Sequence, residues 1–126
     1  MGSSIRLATE SRDAHLALRR VERQQHLIER LHGAPAPVPL AALARELRVS
    51  ARTVARDVRR LRESGVPVTA VAGRSGGVRI DRHGPVAPVA LDLPEIAAAL
   101  ACLAAVGPTT SESATSAMRK LGRALG

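Results

Sequence analysis

The sequence predicts a mostly α-helical protein with one small β-hairpin. In several segments apolar residues recur every three or four positions, as they do on the buried face of a helix. Two short β-rich runs flank the Gly-rich turn at residues 73–77, which is typical of a hairpin. Phe, Trp and Tyr are absent from the 126 residues, so the core has to be built from Leu, Ile, Val, Ala and Met. This length fits one small domain with an appendage.

The first third of the chain contains two predicted helices. Residues 13–32 lack Gly and Pro and carry apolar residues at helical spacing, whereas residues 1–12 have no sustained period. We expect the latter to form a loose arm or a frayed helix start. Gly33 ends the first helix, and the prolines at 35, 37 and 39 keep the next stretch extended. Apolar residues at i, i+3, i+4 and i+7 then predict a short helix over residues 40–47.

A third helix is predicted from Ser50, a good N-cap residue, to about Ser64, with Gly65 as its stop. On a helical projection three apolar residues share one side and three arginines share the opposite side. The inner residues are Val54, Val58 and Leu61, and the outer residues are Arg52, Arg56 and Arg59. One face is therefore expected to join the core, and the other to form an arginine face.

Two further helices are predicted after the hairpin. Residues 83–91 contain prolines and are expected to form a linker that lies over the core through its two valines. Asp92 and Glu95 resemble the reciprocal capping pair that opens a helix, here residues 93–106. A fifth helix is expected from about Ser111.

The composition excludes several classes of function. Without aromatic residues the chain has no platform on which RNA or single-stranded DNA bases stack. No stretch approaches the roughly 18 apolar residues of a membrane span, so we expect a cytoplasmic protein. The single cysteine, Cys102, is expected to be a small buried hydrophobe, and the four histidines are expected on the surface. Because no metal-ligand spacing, nucleophile–base pair or phosphate-binding loop is present, we expect no cofactor and no enzymatic activity.

The charge is concentrated in the front two-thirds of the chain. Residues 1–82 hold 16 of the 19 basic and 8 of the 11 acidic residues, which accounts for the whole net charge of +8. All but one of the 19 basic residues are arginines, whose planar fork suits phosphate and guanine contacts. This distribution favours a nucleic acid as the partner.

The predicted third helix has the division of faces that reading a DNA major groove requires. Its first turn carries Ser50 and Thr53, which can donate to phosphate oxygens. Arg52 and Arg56 come next, and either can bond O6 and N7 of a guanine, whereas the later arginines are expected to meet the DNA backbone. The hairpin is expected to touch a flanking phosphate or the minor groove. The candidate DNA contacts are Ser50, Arg52, Thr53, Arg56, Arg59, Arg60, Arg74, Ser75 and Arg79.

Other charged residues near this helix have two interpretations each. Asp57 is expected to pair with Arg60, three residues on, or to orient a neighbouring arginine. Arg19, Arg20 and Arg23, near the start of the predicted first helix, are either solvated or add phosphate contacts.

The motifs in this region resemble a known family. An apolar helix is followed by Val-Ser-x-Arg-Thr-Val-x-Arg-Asp at residues 49–57, by Gly-Val-Pro-Val at 65–68, and by a Gly-Gly turn within 73–80. This pattern resembles the winged helix-turn-helix of bacterial WYL-domain transcriptional regulators, relatives of the DeoR type, over roughly residues 19–82. The resemblance implies that the recognition-helix surface and the wing carry Ser50, Arg52, Thr53, Arg56 and Arg74.

A weaker resemblance links residues 91–100 and 117–121 to the connector helices that follow the wing in that family. There the connector leads into a domain thought to sense a ligand and named for a Trp-Tyr-Leu sequence. This chain has neither Trp nor Tyr, so we expect that domain to be absent and infer no small-molecule effector. The expected organisation is an arm and helix start at 1–18, a winged helix-turn-helix domain at 19–82, a linker at 83–91 and a helical connector at 92–126.

The two C-terminal helices have two alternative roles. Either they pack as a hairpin against the winged domain, or the small residues at 97–105 let a second copy approach and make a homodimer. A dimer would read half-sites about 34–36 Å apart. The function we expect is that of a sequence-specific regulator of transcription that binds double-stranded DNA in the nucleoid. The alternatives are a winged-helix adaptor for an acidic protein partner, or the truncated regulatory domain of a larger effector-sensing protein.

Overall fold

The computed structural model describes residues 2–81, 86–107 and 110–126. Within them the mostly helical fold with one antiparallel hairpin is confirmed. The elements are α1 (Gly2–His32), α2 (Leu40–Leu47), α3 (Ala51–Glu63), β1 (Val68–Val71), β2 (Gly77–Ile80), α4 (Leu93–Val106) and α5 (Glu112–Ala124). Among the described residues, no helix combines the length and the apolar composition needed to cross a membrane.

The first helix is longer than the sequence predicts. It begins at Gly2 rather than near Asp13, so of the two expectations for the N-terminal residues the loose arm is wrong for residues 2–12, which form the start of the helix. The segment contains no proline, and extending an existing helix by one residue is far easier than starting a new one. Helix α1 can therefore continue toward the N-terminus even where apolar residues do not recur at helical spacing.

The core is aliphatic and joins α1, α2, α3 and the hairpin. The helices contribute one face each, in the pattern that the spacing of apolar residues predicts. The residues buried in this core are Leu27, Leu31, Val38, Leu43, Ala44, Val54, Val58, Leu61, Val68 and Val78.

The hairpin is fixed to the segment between α1 and α2. Val68 pairs with Ile80 at one end of the ladder, and Val71 pairs with Gly77 at the other. Val38 adds a short third segment, because Val38 and Val78 exchange two backbone hydrogen bonds of 2.8 Å. Gly77 has φ +146°, and a Cβ there would lie 2.3 Å from the Val38 carbonyl oxygen. Only glycine therefore allows this close approach.

The turn between α2 and α3 is tight. Arg48 adopts a left-handed conformation with φ 57°, and its N–H donates to the carbonyls at the end of α2. The Val49 N–H donates to the Ala44 carbonyl at 3.0 Å. Three residues thus connect α2 to α3, and the two helices pack against each other.

The C-terminal helices form a hairpin that rests on α1. The predicted capping pair is confirmed, since Asp92 N–H donates to Glu95 Oε1 and Glu95 N–H donates to Asp92 Oδ1, both at 2.9 Å. Ser111 caps α5 and donates from its hydroxyl to Gln25 Oε1 of α1 at 2.9 Å. Ser113 N–H donates to Glu29 Oε1 at 3.1 Å. The packing of this pair against the winged domain, one of the two expected roles, is thus present.

Two burial expectations are wrong. Val86 and Val89 are 90% and 74% exposed, so the linker does not lie over the core through them. That core is already closed by α1, α3 and the hairpin. Cys102 is exposed rather than buried, because it lies six residues after Ile96, roughly 120° around α4 from the one buried residue of that helix. His15, His26 and His32 are exposed as expected, and His83 lies outside the described residues.

Candidate nucleic-acid interface

Helix α3 separates its two faces sharply. Val54, Val58 and Leu61 are buried in the core as predicted. On the opposite side Arg52, Arg56 and Arg59 are exposed, and with Ala55 they line one shallow depression. The arginine face is therefore formed and open to a partner.

The first turn of α3 holds its two hydroxyls together. The Ser50 Oγ accepts from the Thr53 N–H at 3.1 Å, which confirms Ser50 as the N-cap, and it lies 3.0 Å from the Thr53 Oγ1. One of the two hydroxyl protons is used in that second bond, whichever residue donates it. The other proton and the free N–H groups of the first turn remain to meet an anion at this end of the helix dipole.

Of the two roles expected for Asp57, it does not pair with Arg60 but holds another arginine, Arg23 of α1. It is 1% exposed and faces α1, where Arg23 donates to both of its oxygens, the Nη2 to Oδ1 bond being 3.2 Å. Gln24 Nε2 also donates to Oδ1, at 3.4 Å. Pairing with Arg60 is therefore wrong, because Arg23 and Gln24 of α1 occupy the Asp57 carboxylate and no ion pair joins it to Arg60 among the described residues. The ion pair links α1 to the helix that carries the arginine face.

Arg60 belongs to a second basic surface, between α1 and α3. Arg56 and Arg60 of α3 line this groove together with residues of α1. The contributing cations of α1 are Arg19, Arg20 and Arg23. We call this surface the α1–α3 groove.

The three candidate residues of the hairpin lie in different surroundings. Arg74 and Ser75 are exposed in the turn between β1 and β2. Arg79 instead forms an ion pair with Asp81 at 3.4 Å and lines a separate depression with Leu31 and prolines of the segment between α1 and α2. The structure thus brings Arg52, Arg56 and Arg59 of α3 together, places Arg60 in the adjoining α1–α3 groove, and leaves Arg79 apart from both.

The arginines of α3 have few internal partners. Among the residues that the structure describes, no carboxylate forms an ion pair with Arg52, Arg56, Arg59 or Arg60. The same part of the chain holds no cluster of metal-binding side chains. A surface of guanidiniums that form no ion pair among the described residues suits a polyanion.

Sequence reasoning gave no role to Arg62 or Gln24. Arg62 Nε donates to the Val68 carbonyl at 3.1 Å and ties β1 to α3. Since the acceptor is a backbone oxygen, no side-chain pattern signals this bond. Gln24 joins Asp57 only because α1 crosses α3 at this point.

Residues 23–79 match the family model of the HTH domain. The match spans α2, α3 and the hairpin, together with the part of α1 that packs in the core. No solved structure is significantly similar to the chain. The match covers less than half of the chain's 126 residues and supports a helix-turn-helix DNA-binding domain over residues 23–79.

Proposed function

We propose, on the premise of this helix-turn-helix domain, that the protein is a sequence-specific regulator of transcription that inserts α3 into the major groove of double-stranded DNA. The observation that carries the proposal is the exposed and unpaired arginine face, which lies opposite a helix face locked in the core. The major groove admits one α-helix, and the side chains on the helix face that points away from the protein core then reach the base edges.

Each contact has a distinct role in this proposal. Arg52 and Arg56 bond guanine edges, and the Ser50–Thr53 pair donates its remaining hydroxyl proton to a phosphate. Arg59 and Arg60 lie further along α3 and meet the DNA backbone. Arg74 and Ser75 touch a flanking phosphate or the minor groove from the wing. Arg79 also contacts DNA only if it leaves Asp81.

We also propose kinship with the WYL-domain regulators and a place in the bacterial nucleoid. The support is the run of motifs over residues 49–57, 65–68 and 73–80, together with the match to the HTH domain. The connector-like residues lie on α4 and α5.

The simplest test of the proposed function is selection of bound fragments from random double-stranded DNA. We expect enrichment of one sequence, with an affinity that falls with salt by a slope of about −0.9 for each phosphate neutralised. Equal affinity for enriched and random duplexes would contradict sequence-specific regulation and favour an adaptor that uses its basic surface for an acidic protein.

A variant pair at Ser50 separates the capping role from the DNA contact. Ser50→Ala removes the cap and is expected to lower the free energy of unfolding by about 1 kcal/mol. Ser50→Asp keeps an N-cap acceptor and is expected to match the wild-type stability within about 0.5 kcal/mol, but its carboxylate repels a phosphate and should lower DNA affinity on the order of tenfold or more. Thermal melts and titrations of labelled duplex measure the two effects. Wild-type affinity of Ser50→Asp would show that no phosphate lies at this end of α3.

We further propose a homodimer formed through α4. This helix carries no charge after Glu95, and Ile96 is its one buried residue. A helix that is apolar on all sides is normally covered, and two uncharged copies meet without desolvating ions. The exposed side includes Leu93, Ala97, Ala98, Ala101, Cys102, Ala104 and Ala105.

Sedimentation tests the dimer. The wild type is expected at twice the chain mass of 13.2 kDa, Ala101→Glu at the mass of one chain, and the control Ala124→Glu, exposed on α5, as the wild type. A wild-type monomer at tens of micromolar, with and without DNA, would contradict the dimer and leave the DNA-binding proposal standing.

A further inference from the structure

We infer that Arg19 and Arg20 of α1, together with Arg60 of α3, form a clamp for the DNA sugar–phosphate backbone beside the groove that α3 enters. The inference rests on the proposed function and adds a second, sequence-independent contact to it. The clamp lies in the α1–α3 groove, which Arg23 and Arg56 also line.

The first argument is the concentration of positive charge. Five arginines line the α1–α3 groove, and in the described part of the chain only Arg23 among them forms an ion pair, with Asp57. Asp13 also lines the groove but lies beyond ion-pair distance of these arginines. Guanidiniums that share a groove repel one another, and a bound anion converts that repulsion into attraction.

The second argument is continuity with the arginine face. Arg56 lines both the α1–α3 groove and the depression that it shares with Arg52 and Arg59. Arg60 follows Arg56 by one turn of α3, about 6 Å along the axis. A duplex bound to the arginine face therefore has the phosphates that border its major groove close to α1.

The third argument is preorganisation. Arg19 and Arg20 precede Arg23 by four and three residues, so all three lie on one face of α1. Arg23 is held by the buried Asp57, which fixes that face of α1 against α3 in the free protein. Binding then requires little ordering of the backbone, which favours affinity.

The chemistry of the partner follows from the position. The major groove is about 12 Å wide and holds one helix. With α3 inside, α1 lies outside the groove, where phosphates and not base edges are within reach. The clamp should therefore add affinity without sequence preference.

The test compares two double variants of equal charge. Arg19→Gln/Arg20→Gln, the clamp variant, removes the two α1 arginines of the clamp, and Arg119→Gln/Arg123→Gln removes two exposed arginines from α5. On the selected duplex, the clamp variant is expected to reduce the steepness of the salt dependence by about 1.8 for each chain bound, so its affinity deficit shrinks about twelvefold per bound chain between 50 and 200 mM salt. Its preference for the selected over a random duplex should equal that of the wild type. The α5 variant should keep the wild-type slope.

Three results would overturn the clamp: an unchanged slope in the α1 variant, an equal change in the α5 variant, or a changed sequence preference in the α1 variant. The first would show that α1 does not meet DNA, the second that only overall charge matters, and the third that these arginines reach bases. The proposed function fails separately, if the wild type prefers no sequence. We expect both variants to melt at the wild-type temperature, because none of the four substituted arginines forms an ion pair among the described residues.

Discussion

Arg23→Ala is expected to lower the free energy of unfolding by about 3 kcal/mol or more. Asp57 is 1% exposed, and without Arg23 its carboxylate keeps, among the described residues, one hydrogen bond, from Gln24 at 3.4 Å. A buried charge that loses its partner costs far more than an exposed ion pair contributes. Chemical denaturation followed by circular dichroism measures the effect, since the chain has no Trp or Tyr for fluorescence.

Two companion variants separate the ion pair from the general loss of an arginine. Arg19→Ala, one turn earlier on α1, removes an exposed side chain and should change the stability by less than about 0.5 kcal/mol. Arg23→Met combined with Asp57→Leu replaces the pair by apolar groups and should recover most of the stability lost in Arg23→Ala. Wild-type stability of Arg23→Ala would mean that the bond does not hold α1 against α3.

Arg52→Ala combined with Arg56→Ala is expected to lower affinity for the selected duplex by roughly a thousandfold for each chain bound. Each bidentate arginine–guanine contact contributes about 1–3 kcal/mol of discrimination, and about 1.4 kcal/mol is a factor of ten in affinity. Both side chains are exposed and form no ion pair in the described part of the chain, so the stability should not change. Anisotropy of a labelled duplex measures the affinity.

The matched control is Arg59→Ala combined with Arg74→Ala. These exposed residues are assigned to the DNA backbone, so their loss should weaken binding to selected and random duplexes by the same factor. The Arg52/Arg56 variant should instead approach the affinity of random DNA. If it keeps the wild-type ratio between the two duplexes, α3 is not the element that reads sequence.

Most of the elements that can be predicted from the sequence are marked by residues close to their own ends. Ser50 and Gly65 bound α3, and the Asp92–Glu95 pair opens α4, because caps and stops act within a few residues. The bond between Arg23 and Asp57 joins residues 34 apart in the chain, and it depends on how α1 crosses α3. Periodicity contains no information on that crossing.

In the candidate site, too, some features follow from nearby residues and others depend on how distant elements pack. The two faces of α3 follow from helix geometry, so Arg52, Arg56 and Arg59 are predicted from their spacing alone. Whether Arg19 and Arg20 are solvated or meet phosphates was open, because the answer depends on the groove that α1 forms with α3. The hydrophobic character of Val86, Val89 and Cys102 likewise shows that they can be buried, but it does not show whether another element covers them.

Methylation interference on the selected duplex tests most directly whether α3 lies in the major groove. Dimethyl sulfate modifies N7 of guanine in the major groove and N3 of adenine in the minor groove. We expect methylated guanines to block binding at the positions read by Arg52 and Arg56, and the block at one of them to disappear in Arg56→Ala. Binding that tolerates every methylated guanine, or that is blocked by methylated adenines alone, would contradict a recognition helix in the major groove.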